Sequence, residues 1–539
     1  MKILLVEPGY KNKYPPMSLM KISTYHKNRG DKVRFYKGIM EQGQFVKENF
    51  DRVYITSLFT FHYDLTIKTI KAYRKMISPS KIYVGGIMVT LMESKLRVDI
   101  DKKISILTGL LTDSRMIGFD DTVNIDRLPL DYSVLDDVSF KYPAGDNYFA
   151  YISRGCTNKC RFCAVPILEP NFCITNNIIN QISNIKERFG EKQNLLLLDN
   201  NILSFDPAQL QQIVNDIRSL GFNKGSKYYP ELPLLQYIRK LNRVEKDSPA
   251  FKNILSELLD YLHDRLSMRM SKNYQAKYSQ LISALDKEED KHLYITENLD
   301  VFSEIIGFYH KPTGRRRIVD FNQGIDARQL TDEKMAVLSQ LPIEPFRLAF
   351  DGIGYKKTYI DAVKTAARHG ITSFSNYLLY NFEDKPEDLW QRLKINIDLA
   401  KKYDIRIFSF PMKYAPIDRT DRMYIGKYWS KLFLSNIYAI LNVTKGIVAE
   451  GEAFFEKAFG KDIQEFYEIL SMPRDFVMYR SHFEENGLSL VWREKYHALS
   501  GQDRKELIDA VSVGRTSINK EVNDMLPYYQ MKKEKHGGK

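Results

Sequence analysis

The sequence predicts an α/β protein with a helical C-terminal region, and three patterns in its 539 residues carry that prediction. Residues 1–110 alternate short apolar runs with helix-forming stretches, the pattern of a doubly wound parallel sheet. The alternation pauses in a turn-rich stretch, then restarts at Tyr148 and runs through six further strand–helix units to about residue 417. From 418 onward the signals are helical, with Gly446, Gly451 and Gly460 as punctuation.

In the first segment, Lys2–Val6 reads as a buried strand. Pro15-Pro16 opens a helix that runs to about Arg29 and stops at Gly30. Val33–Tyr36, Val53–Leu58 and Lys81–Gly86 are the next strands, with a helix to about Met76 between the last two, and Ile104–Leu107 is a fifth. Ligands of such sheets sit at strand carboxyl ends, here Pro8-Gly9-Tyr10, Ser57-Leu58-Phe59-Thr60 and Gly85-Gly86-Ile87. Residues 111–147, with Asp113, Asp120, Asp121, Asp131, Pro129, Pro143 and Gly145, read as a linker.

The second alternation places strands at Tyr148–Ile152, Leu195–Asn201, Arg317–Asn322, Phe346–Phe350, Ser373–Tyr380 and Ile405–Phe410. Helices are expected over 174–189, after the Asp206-Pro207 cap to Gly221, from Lys357 to His369-Gly370, and over 385–403. Residues 223–313 interrupt the series with helix-rich sequence, notably Phe251–Met270 and Tyr274–Leu285. The interruption falls between a helix and the following strand, which puts it on the face opposite strand carboxyl ends, as a stabilising or partner-binding module. Beyond 418, helices are expected over Trp429–Leu441, Glu450–Leu470 and Asp503–Val513, with Phe454, Phe455, Phe466 and Tyr467 in their core and a disordered tail over 532–539.

Three of the four cysteines stand at Cys156, Cys160 and Cys163, spaced C-x3-C-x2-C, directly after the strand at Tyr148–Ile152. Gly155 and Asn158 let the chain curl. Three thiolates on one loop can hold three irons of a 4Fe–4S cube and leave the fourth iron open to a ligand. A four-cysteine zinc site with Cys173 is the bland alternative, but structural zinc sites come as two separated pairs.

This loop, with Phe162 just before its last cysteine, resembles the signature of the radical S-adenosylmethionine (radical SAM) superfamily. The resemblance implies a partial (β/α)6 barrel over 148–417, open on one side, with Cys156, Cys160 and Cys163 as cluster ligands. It also implies that the open iron chelates the amine and carboxylate of SAM, and that cleavage yields a 5′-deoxyadenosyl radical. By analogy Asp199-Asn200-Asn201 holds the SAM amine, Asn322 and Gln323 face SAM or substrate, Arg328 pairs with a carboxylate, Asp351 follows the fourth strand, and Met412 lies where backbone groups touch adenine. For Asp199, Asp351 and the rest, the plain alternative is a cap or turn residue. Residues 1–110 look like the cobalamin-binding domain of one branch of the superfamily, through the strand-Pro-Gly start, the Pro-Pro, the Ser-Leu-Phe-Thr turn and the Val-Gly-Gly. The cobalt-ligating D-x-H-x-x-G motif is missing. Only His26 and His62 are available, and Met88 and Leu91 crowd the turn after Gly86. Cobalamin is therefore either bound without a protein histidine or not at all.

Composition bounds the rest. The chain carries 80 Lys+Arg against 67 Asp+Glu, a net charge of +13, spread along its length. Such a balance suits a nucleic acid or an acidic partner as well as a merely solvated surface. Four cysteines, three of them clustered, do not form a disulfide framework and fit a reducing compartment. The N-terminus is apolar for only a few residues and reads as a strand, not a leader, and no apolar run approaches the ~18 residues of a membrane span. The expectation is a cytoplasmic enzyme with no membrane partner, served by an electron donor of the flavodoxin or ferredoxin type, on an unknown substrate. An RNA-modifying enzyme of the methylthiotransferase kind is the second reading, against which stands the lack of cysteine in residues 1–155. A non-enzymatic iron–sulfur or zinc protein is the third.

Overall fold

The computed structural model describes residues 1–175, 177–449 and 451–533. Its N-terminal sheet is built from β1 (Lys2–Glu7), β2 (Lys32–Lys37), β3 (Arg52–Ser57), β4 (Ile82–Gly86) and β5 (Ser105–Leu107), all parallel, in the order β2-β1-β3-β4-β5. Alternate residues of β1 serve two cores. Leu4 and Val6 pack with Val53, Ile55 and Met88 on one face. Ile3 and Leu5 pack on the other with helix Met17–Asn28 in a core continuous with that of the later strands. The sheet is thus buried on both sides, which explains why its strands read as unbroken apolar runs. Gly86, at φ +105°, ends β4 where it presses on β3: a Cβ there would sit 2.3 Å from the Ser57 carbonyl oxygen, so no other residue fits. Short helices at Gln42–Glu48, Ile87–Leu91 and Glu93–Asp99 have too few residues for a legible period.

His26 lies inside this core, fully buried. Its neutral ring donates from Nδ1 to Asp31 at 2.7 Å and accepts at Nε2 from the Tyr54 hydroxyl at 3.0 Å, so it is structural. Burial pushes its pKa down to about 4, against the pull of Asp31. Between that value and the unfolded value near 6.5 the unfolded chain binds the extra proton, so stability falls as pH drops through the window. Between pH 7 and 5 the native protein should lose about 2 kcal/mol more than His26→Gln does, measured by urea unfolding.

The stretch expected as a linker holds only 3-10 turns at Ser114–Ile117, Ile125–Arg127 and Tyr132–Asp137. It is nonetheless tightly packed. Ile117, Ile125, Leu130, Tyr132 and Val134 join the main core, and buried Asp131 accepts from Ser23 Oγ at 2.6 Å.

Six parallel strands follow in chain order around an open barrel. They are β6 (Tyr148–Ala150), then, after the small antiparallel pair β7 (Ser153–Arg154) and β8 (Cys173–Ile174), β9 (Leu195–Leu197). The insertion contributes its own antiparallel pair, β10 (Lys227–Tyr228) and β11 (Arg315–Arg316). The barrel resumes with β12 (Val319–Phe321), β13 (Phe346–Arg347), β14 (Ser373–Tyr380) and β15 (Arg406–Lys413). Their ladders form two triplets, β12-β9-β6 and β13-β14-β15, joined by isolated parallel bridges Val319–Ile343 and Ile325–Leu348. Among the described residues β6 and β15 do not pair, which leaves the barrel open between them. The helix after the Cys loop runs Ile178–Phe189, and the Asp206-Pro207 start gives helix Pro207–Ser219 with a full capping box.

The insertion folds around a separate core that includes Leu258, Tyr278 and Phe302. It meets the barrel at strand starts. Arg243 donates to the Arg188 carbonyl at 2.7 Å, and Arg317 donates to the Gln193 and Lys192 carbonyls just ahead of β9. That is the end away from the strand carboxyl termini, where its place in the series puts it. In the C-terminal region the expected helix over 450–470 is two, Glu452–Phe459 and Ile463–Ser471. Gly460 (φ +84°) breaks it, since a Cβ there would lie 2.8 Å from the Phe466 nitrogen. Phe455 and Phe466 are core as expected; Phe454, 41% exposed, is not. Glu450 and the tail residues 534–539 lie outside the described residues.

Candidate functional site

Cys156, Cys160 and Cys163 sit half-buried on a loop whose base is closed by the β7–β8 pair. Gly155 turns the chain into the loop at φ +75°, where a Cβ would lie 2.2 Å from the Asn171 carbonyl oxygen. The loop lies across the carboxyl ends of several barrel strands. Toward β9, Thr157 and Ser204 hydroxyls are 3.0 Å apart. Toward β12, Asn158 donates to Asp326 at 2.6 Å. Toward β14, Arg161 pairs with Glu383 at 2.7 Å, and Phe162 meets Phe382 edge-on at 5.9 Å.

The sulfurs are served by donors. Backbone N–H groups of Asn158 and Val165 point at Cys156 Sγ and Cys163 Sγ, each at 3.4 Å, and the Arg328 guanidinium stands 3.8 Å from Cys160 Sγ. Burial raises the Cys163 thiol, with Cys160, Cys156 and Asp351 adding to the rise and the Val165 N–H opposing it. Three thiols with amide and guanidinium donors fit a soft cluster whose sulfurs carry negative charge. Cys173 is exposed on β8 opposite Arg154, at the loop's base. Among the described residues no three His, Cys, Asp or Glu side chains are arranged to hold one metal ion.

Asp199 is 4% exposed, and its carboxylate accepts from the chain itself. Its Oδ1 takes Ser153 N at 2.5 Å, Ser153 Oγ at 2.6 Å and Ile152 N at 3.1 Å. The group expected to face an ammonium therefore holds the entry to the Cys loop. It also shortens the first barrel strand, because the amides of Ile152 and Ser153 turn to it instead of to a neighbouring strand. Burial raises its pKa, opposed by the Ser153 bonds. Asn200 donates to Glu169 Oε2 at 2.7 Å, the same oxygen that takes the Gly155 N–H. Asn322, nearly buried, accepts from the Tyr14 hydroxyl at 2.7 Å, which ties the loop after β1 to the end of β12. Gln323 is exposed. Arg328 engages Asp326 through two nitrogens at 2.8 and 2.9 Å, which raises its pKa further, and it stands over the Tyr355 ring. Asp351 is raised by burial, against the charges of Arg328 and Arg392. Met412, in β15, is 50% exposed.

Sequence reasoning missed Asp126, Glu169 and Tyr14. None stands in a motif, and each acts through a partner distant in the chain.

No protein-family model matches the chain. A stretch of 182 residues is 23% identical to the ribosomal protein uS12 methylthiotransferase RimO of Helicobacter pylori strain J99, covering 30% of this chain and 40% of that one. The RimO of Helicobacter acinonychis strain Sheeba is 21% identical over 182 residues, with 41% of its length covered. The chain thus spans well under half the length of the curated relatives it matches. The likeness supports the radical SAM superfamily. It gives no support to the cobalamin-binding branch. Among the described residues no helix is long and apolar enough to cross a membrane.

Proposed function

We propose that this chain is a radical SAM enzyme whose 4Fe–4S cluster is held by Cys156, Cys160 and Cys163. The observation that carries the reading is the loop itself: three thiols laid over the open end of a six-stranded parallel barrel, where strand carboxyl ends converge. When bound, the cluster supplies the electron that cleaves the SAM sulfonium and frees a 5′-deoxyadenosyl radical. The chain's own part is to hold and shield. Asp199 and Glu169 fix the loop's entry, Asn158 and Val165 amides neutralise sulfur charge, and Arg328 covers Cys160 while Asp326 keeps it in place. Exposed Gln323 and Met412 and the nearby Asn322 remain the side chains offered to SAM or substrate. The proposal divides the chain at 110, 147 and 417, with 223–313 as an accessory module and 418–539 as the helical region, and it needs an electron donor of the flavodoxin or ferredoxin type.

Cobalamin is not part of the proposal. At the β1/β3 reversal, where a ligand of such a sheet would lie, Tyr10 (5% exposed) stacks on His62 at 4.5 Å and 4°, and His62 thereby has a partner within the chain.

Anaerobic reconstitution with iron and sulfide, then incubation with SAM and dithionite, should give 5′-deoxyadenosine. A fully loaded cluster that yields none would overturn the reading. The relatives' name favours methylthio transfer as a second reading, on a ribosomal protein or RNA. Residues 1–155 carry no cysteine for the second cluster such chemistry uses. Methylthiolated product from a reconstituted chain would establish it; turnover of SAM with no sulfur inserted into a product would not.

A further inference from the structure

A pocket of about 310 Å³ opens in the C-terminal helical region, away from the barrel strands and the Cys loop. Its apolar lining comes from three helices: Ile440 and Val443 from helix Lys431–Val443, Phe454 and Ala458 from helix Glu452–Phe459, and Val477 and Met478 from helix Arg474–Met478. Its charged lining is cationic. Lys457, Arg480 and Lys533 border it beside the neutral Thr444, Tyr479 and Ser481, and no carboxylate does. Among the described residues the Arg480 side chain has neither a hydrogen-bond nor an ion-pair partner, although burial is strong enough to lower its pKa. Its carboxylate neighbours, Glu484 and Glu465, act on it only through space, and Arg493 opposes them. The Arg480 guanidinium is half-buried at the pocket with its donors uncommitted, and an anion entering the pocket would accept from them. Phe454 and Val443, 41% and 63% exposed, leave apolar surface at the pocket's mouth uncovered.

We infer that this pocket binds a small amphipathic anion, a carboxylate or phosphate head on an aliphatic or aromatic body, with Arg480 taking the head and the Phe454 side taking the body. The volume is in the range of small-ligand sites. A planar guanidinium suits either head group, because both offer paired oxygens. The inference does not depend on the cluster, because no residue of the pocket belongs to the barrel.

The test uses the full chain and 1-anilinonaphthalene-8-sulfonate, itself an amphipathic anion, followed by fluorescence. Saturable binding at one site is expected, displaced by decanoate and decyl phosphate below their micelle concentrations but not by decanol. The stronger of the two displacers identifies the head group. Arg480→Met should weaken displacement by about tenfold, the effect of deleting one charge-assisted hydrogen-bond partner. Arg480→Lys should restore part of it. Phe454→Asp, at an exposed position that the fold does not need, should weaken both displacers while leaving the thermal midpoint unchanged. Decanol competing as well as decanoate, or equal affinity in native and Arg480→Met chains of equal thermal midpoint, would overturn the inference. So would non-saturable binding.

Discussion

Replacing Cys156, Cys160 and Cys163 together by Ala should take bound iron from about four per chain to none after reconstitution and reduce 5′-deoxyadenosine formation to background. The fold should survive. The three side chains are only half-buried on a loop held by other groups, so the thermal midpoint should move by no more than surface substitutions do, within about 0.5 kcal/mol. Cys173→Ala is the decisive companion. That residue is exposed at the loop's base, and its removal should change neither iron nor turnover. If Cys173→Ala lost metal alongside the triple variant, a four-cysteine site would replace the open-cornered cube, and with it would go the place for SAM. Zinc found in the native chain by metal analysis would remove that place in the same way.

The sheet and barrel were legible because their strands are buried on both faces. Ile3 to Val6 and Leu195 to Leu198 are continuous apolar runs, and each became a strand in register with its parallel neighbours. Strand ends were less legible, since they depend on side chains elsewhere. The first barrel strand stops at Ala150 because Asp199, far along the chain, claims the amides of Ile152 and Ser153. The cysteine loop announced itself by spacing alone. The groups that hold it did not, because a carboxylate such as Glu169 acquires its role only when folding brings Arg154, Gly155 and Asn200 to it. Asp199 shows the converse. Its place after a strand points to a ligand contact, while the role that folding gives it, accepting from the amides of Ile152 and Ser153, has no mark in the spacing. Phe454 was misread for a related reason: aromatic residues at helical spacing predict a core, but not that one of them stays outside it, at the mouth of a pocket.

Asp126→Asn should be among the most destabilising single changes in the chain, by about 3–5 kcal/mol, because it breaks a buried charge cluster by deleting one member. Lys21, from helix Met17–Asn28, reaches Asp126 Oδ1 at 2.8 Å, and Arg154, which enters the Cys loop, grips both carboxylate oxygens at 2.6 and 2.9 Å. Arg154 also donates to Glu169 at 3.2 Å and lies 3.5 Å over the Tyr151 ring. Two cations and two carboxylates balance there, each with at most 14% of its side chain exposed. Loss of Asp126 leaves both cations facing one carboxylate. Burial alone would raise the Asp126 pKa, but the charges of Lys21 and Arg154 outweigh it and hold the group below its ordinary value. Its stabilisation is therefore present above the unfolded value near 3.8 and is lost as pH falls through the lower folded one. Lys21 behaves differently. Burial and Arg154 push it down to about 8, so its charge is disfavoured in the folded chain, and stability from this group rises as pH climbs from about 8 toward 10.5. Lys21→Met removes that penalty together with one hydrogen bond and leaves Asp126 paired with Arg154. It should cost far less than Asp126→Asn. Thermal unfolding at pH 7 ranks the two, and proteolysis between 155 and 172 reports whether the loop has come loose. Equal losses in the two variants would mean that the cluster is not the clamp between the N-terminal helix and the cysteine loop. The predicted ranking, with loop cleavage confined to Asp126→Asn, would make the N-terminal sheet a support for the cysteine loop, a role it can fill with no ligand of its own.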